Sequence, residues 1–182
     1  MQNKEITIDV LANQLGIETC TRFNPEILVP DERIRAICRE NKCGHYRENY
    51  MCPPHSGSIE EVMDRLKIFR RGWLLRYSKP LNVKEDTAGV TQTRLDFHHK
   101  ILQLEKYMLD QGEDRVWGMV GDGCGLCDVC MVTKDEPCRY PDEARMSLEG
   151  IAVDVGDLLE RLGLDSGFHQ DKITWTGCIL VG

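Results

Sequence analysis

The chain has 182 residues, 41% of them apolar and 29% charged, with a net charge of −7 at pH 7. That is enough chain for one packed domain, and the acidic balance argues against general binding to nucleic acid or anionic membranes, which need clustered Lys and Arg. The first residues, MQNKEITIDVLANQLG, lack the apolar core and small-residue cleavage site of a signal peptide, and no apolar run is long enough to span a bilayer, so a cytoplasmic chain without membrane insertion is expected.

In chain order, PDERIRAICREN reads as a short helix with Pro30 at its start. SIEEVMDRLKIF predicts a stronger one, with Ser58 and Glu61 as a capping box and Ile59, Val62, Met63 and Leu66 as its apolar stripe. GWLLRYS reads as a buried strand, and Thr91 to Asp110 as a long amphipathic helix stopped by Gly112. RVWGMV is the next strand, VGDLLERLGL a late helix and KITWTGCILVG a final strand. This alternation predicts a single small α/β domain over residues 1–182: a mixed or parallel sheet flanked by helices, with cysteine-rich loops at one edge.

Seven of the nine cysteines fall in two groups, Cys38/Cys43/Cys52 and Cys124/Cys127/Cys130/Cys138. Cytosolic thiols stay reduced, so metal ligation is the better reading of such grouping than disulfides. The second group, GDGCGLCDVCMVTKDEPCRYP, has the C-x2-C-x2-C core of a bacterial ferredoxin run with a stretched gap before its last cysteine. Such close spacing wraps a compact [4Fe–4S] cubane and crowds a tetrahedral zinc, which usually takes two knuckles on separate turns. Gly121, Gly123 and Gly125 are expected to supply positive-φ turns and close approach to sulfur.

The first group, CRENKCGHYRENYMCPP, has three thiols, one short of a closed site. Either Cys138 crosses over to it, or Cys124, Cys127, Cys130 and Cys138 close one cluster and leave a three-thiolate cluster open to His45, His55, water or substrate. Cys178 alternates with Leu180 on one face of the last strand and is expected to be a core thiol, and Cys20 is read the same way. On the long helix, Phe97, Ile101, Leu104 and Met108 lie together, with Leu95, Leu102 and Leu109 extending the arc. Arg94, His98 and Glu105 fall inside that arc. Together they are expected to form a satisfied buried ion pair, the alternative being that His98 and Glu105 turn toward the cysteine loops to donate to sulfur or relay protons.

With both groups in view, the chain resembles a family of uncharacterised prokaryotic, predicted metal-binding, cysteine-rich proteins. The resemblance runs from about Val29 to Val155. It is carried by Cys38, Cys43, Tyr46, Cys52, Pro53 and Pro54, then by Cys124, Cys127, Cys130, Cys138, Pro141, Ser147 and Glu149. A glycine is expected after the tyrosine, where this chain has Arg47. The resemblance implies metal binding and does not choose the metal. Three functions follow as expectations: an iron–sulfur protein with one or two [4Fe–4S] clusters passing electrons between redox partner proteins, an enzyme using an open three-cysteine cluster, and a zinc-stapled interaction module. No Gly-rich nucleotide fingerprint is present.

Overall fold

Residues 7–182 are described by a computed structural model. The signal-peptide reading falls partly on positions 1–6, outside the described residues. The elements are α1 (Ile8–Gln14), β1 (Thr19–Phe23), α2 (Glu32–Arg39), α3 (Ile59–Leu66), β2 (Arg71–Pro80), α4 (Thr87–Asp110), β3 (Val116–Met119), α5 (Val155–Arg161) and β4 (Lys172–Val181).

The four strands lie in the order β1-β2-β4-β3, and every neighbouring pair is antiparallel. The expectation of a mixed or parallel sheet is therefore corrected, and the reason is topological. The β2–α4–β3 unit does carry the chain back so that β2 and β3 point the same way. The last strand then inserts between them and runs opposite to both. A single parallel bridge, Val120 to Ser147, lies outside the strands. The edge strand β1 was not expected, because TCTRF buries only Phe23 and carries little alternation.

Alternate residues of β2 explain the layers. Trp73, Leu75 and Tyr77 face α1 and α4, where they pack with Phe97, Ile101 and Leu104. Leu74, with Cys178 and Leu180 of β4, faces α3, α5 and the segment around Leu148 and Ile151. Cys178 is fully buried in that core, which pushes its thiol up, as expected of a small hydrophobe. Cys20 is half-buried, and burial with a nearby Asp9 raises it to about 12.

Helix starts follow their caps. Asp31 and Asp86 accept backbone N–H groups at the starts of α2 and α4, and Ser58 with Glu61 forms the expected capping box on α3. Asp86 explains why α4 begins four residues before the expected Thr91. Val62 and Leu66 of the α3 stripe are buried, whereas Met63 is exposed, as is Leu109 at the end of α4.

His98 is only 1% exposed, and its Nε2 lies 2.8 Å from the Glu143 carbonyl oxygen. Burial is the largest cause of its lowered pKa. The unfolded chain therefore takes up a proton on His98 before the folded one does, so the stability His98 contributes falls as pH drops below its unfolded value near 6.5. Denaturant unfolding between pH 7 and 5 should lose stability with a slope of up to about 1.4 kcal/mol per pH unit from this residue. In His98→Gln that part of the slope should disappear.

Candidate metal centre

The second cysteine group leaves the sheet where β3 ends. Met119 is the last strand residue, and Val120 to Gly123 turn the chain away, with Asp122 at φ +60. The glycines play one of the two roles expected of them. Gly121, Gly123 and Gly125 are not among the positive-φ residues. What they provide is close approach. A Cβ on Gly125 would lie 2.5 Å from the Arg94 guanidinium, and one on Gly123 would press on the His45 ring and the Cys52 sulfur.

Cys124, Cys127, Cys130 and Cys138 all line one cavity of about 290 Å³, far larger than the roughly 30 Å³ of a single water. Burial is the largest cause of the raised Cys124 and Cys127 thiols; Cys138 and Cys127 add to the first, and Cys130 and Cys138 add to the second against the opposing Arg139. Cys138 lines the cavity of the second group and not that of the first. The N–H groups of Leu126 and Arg145 donate to the Cys124 sulfur and oppose that rise.

The first group lies between α2 and α3. Cys38 lies in the last turn of α2 and its thiol sits 3.9 Å from the Glu149 carbonyl. Cys52 is buried and pushed up to about 12, chiefly by burial, with Cys43, Asp122, Cys38 and, from the second group, Cys124 contributing. Arg47 stands at φ +67 with its N–H donating to the Pro53 carbonyl, so the turn expected of glycine is made here by arginine. Cys38, Cys43 and Cys52 line a second cavity of about 750 Å³. His45 borders both cavities, whereas His55 borders neither and packs edge-on against Tyr50.

The two groups interlock. Asn49, 4% exposed, donates to the Cys124 carbonyl at 2.7 Å. The Tyr50 N–H lies 3.5 Å from the Cys130 sulfur, and its hydroxyl donates to the Glu136 carbonyl. Ser147 and Glu149, carried by the family resemblance, brace the first group. The Ser147 hydroxyl accepts the Gly150 N–H, and the Gly150 carbonyl accepts from Ser56 and Arg35.

The α4 polar row divides. Arg94 reaches the cysteine loop, pairing with Asp122 at 3.1 Å and bordering the four-cysteine cavity. Glu105 and His98, the two residues with the alternative of facing the cysteine loops, make buried, satisfied contacts instead. Glu105 accepts the Gly118 N–H at 2.5 Å and pairs with Arg145 at 2.8 Å. Gly118 has no side chain because a Cβ would meet that carboxylate at 2.7 Å. Arg35, Asn49 and Arg145 were missed from sequence. Arg35 stands one turn before Cys38 on α2, a usable signal, but nothing local marks the other two.

The donor set fits a thiolate-bound metal. Two buried arginine nitrogens without hydrogen-bond partners flank the cysteines: Arg94 Nε beside the second group, and Arg35 Nη2 on a side chain coupled electrostatically to Cys38. Anionic sulfur is the acceptor that such donors lack. Among the described residues no three His, Cys, Asp or Glu side chains already converge as a single-ion site; the thiols line cavities instead.

The family described as "Predicted metal-binding protein (DUF2284)" matches residues 21–181. No curated protein and no solved structure matches the chain. No helix among the described residues is long and apolar enough to cross a membrane.

Glu105→Ala would leave Arg145 and the Gly118 N–H without their acceptor, and Arg145 carries an N–H bound to Cys124. The expected cost in denaturant unfolding is about 3 kcal/mol, the low end for breaking a buried pair, accompanied by reduced metal content.

Proposed function

This chain belongs to the DUF2284 family of predicted metal-binding proteins, and on that premise we propose that it is an iron–sulfur protein that transfers electrons. Cys124, Cys127, Cys130 and Cys138 hold one closed [4Fe–4S] cluster. Cys38, Cys43 and Cys52 hold a second, with one iron left to a non-thiolate ligand. The observation that carries this reading is the single cavity of about 290 Å³ lined by all four thiols of the second group, with the Arg94 side chain on its wall. Bound clusters supply one-electron transfer at a potential set by the charge, hydrogen bonds and solvent around the sulfurs.

The chain's own residues set those conditions. Arg94 places a cation beside the second group, and the Leu126, Arg145 and Tyr50 N–H groups point at its sulfurs. The first loop packs against one side of the second through Asn49 and Tyr50. On the other side, Val129 and Tyr140 are exposed beside the cysteines, which gives a short route to a docked partner. The acidic surface suits a redox partner with a basic patch.

A second reading is favoured by the larger cavity beside Cys38, Cys43 and Cys52. There the three-cysteine set works as an enzymatic centre on a small molecule, fed by electrons from the four-cysteine set.

Anaerobically purified protein should contain about eight iron and about eight acid-labile sulfide per chain, the content of two [4Fe–4S] clusters, and a brown colour that dithionite bleaches. Zinc without sulfide would overturn the proposal and leave the zinc-stapled module.

A further inference from the structure

We infer that the cavity beside Cys38, Cys43 and Cys52 binds a small organic carboxylate carried on an apolar or aromatic body. Its volume is about 750 Å³, inside the roughly 300–1,000 Å³ range of small-molecule sites. Its walls are mostly apolar, with Val153 and Leu159 from the core side and Trp175 from β4. At the rim stands Phe168, an aromatic fully exposed to solvent. An uncovered aromatic on the lip of an apolar cavity is contact surface without a partner.

Charge selects the polar end of the ligand. The acidic groups on the wall are already engaged. Asp122 pairs with Arg94, Asp154 caps α5, Asp165 accepts from the Gly167 N–H and pairs with His169, and Glu149 is held by Ser147. Arg76 differs. It lies on β2 opposite Thr176, is 8% exposed, and its Nε has no hydrogen-bond partner. It adds only the smallest share to the lowering of the Asp165 carboxyl, after the hydrogen bonds from His169 and Gly167. A buried guanidinium with unmade bonds is costly, and a carboxylate is the planar acceptor that matches it. Lys172, on the same wall, adds a second cation.

The carboxylate site deepens the proposed function by naming the class of molecule presented to the three-cysteine set. It rests on that reading only for what happens at the thiols, since recognition by Arg76 holds for any metal there.

Calorimetric titration of the anaerobically purified protein tests it, with benzoate, phenylacetate and indole-3-acetate each compared with its uncharged amide. At least one carboxylate should bind with a Kd below about 1 mM, and its amide about ten-fold or more weaker. Arg76→Gln should weaken the carboxylate about ten-fold or more at unchanged iron and sulfide content, and Arg76→Lys should recover part of the loss. Carboxylates that fail to bind below about 10 mM overturn the site, as do amides that bind equally well or both Arg76 variants binding like the parent. Metal analysis of the same samples separates the two ideas: zinc in place of iron overturns the cluster assignment, while the carboxylate site is judged by the titration alone.

Discussion

The buried pair of Glu105 with Arg145 ties the metal centre to the fold. Glu105 projects from the last two turns of α4, takes the Gly118 N–H from β3 and holds the Arg145 guanidinium. Arg145 in turn directs its own N–H at the Cys124 sulfur. One carboxylate therefore fixes a helix, a strand and the return of the cysteine loop. The constraint is electrostatic: a buried carboxylate needs partners, and here the partners are the pieces that must be held together. The absent side chain at Gly118 is part of the same arrangement.

The second constraint is that neither cysteine loop closes alone. Asn49 and Tyr50 reach across 75 and 80 residues of chain to the loop bearing Cys124 and Cys130. Gly123 admits the Cys52 sulfur and the His45 ring from the other side. Proximity without merging gives two sets of thiols on two cavities, and the placement of Cys138 with Cys124 and Cys127 is what leaves Cys38, Cys43 and Cys52 as a set of three. An electron carrier with one closed and one open site is the functional consequence proposed for that asymmetry.

Much of this was legible in the sequence. Capping residues and apolar periodicity marked α2 to α5, β2, β3 and β4, and the cysteine spacing marked both groups. The sheet's direction was not legible, because local pattern cannot say that β4 inserts between β2 and β3. β1 was hidden because TCTRF, at the edge, buries one residue. At the site, Arg94 was found as a charge inside an apolar arc, and Ser147 and Glu149 through family resemblance. Asn49 and Arg145 act through contacts far apart in sequence and carry no local signature. The glycines of GDGCGLC were noticed for a sound reason but the wrong half of it: they make room, and Asp122 makes the turn.

The central claim is that the seven cysteines form two separate sites, with Cys138 belonging to the second. Iron and sulfide analysis of Cys138→Ala and Cys43→Ala, each purified without oxygen, tests it most directly. Each variant should fall from about eight iron per chain to about four, with the surviving cluster's paramagnetic spectrum differing between the two. Loss of both clusters in Cys138→Ala, or a Cys138→Ala spectrum lacking the first group's cluster while the second survives, would contradict it.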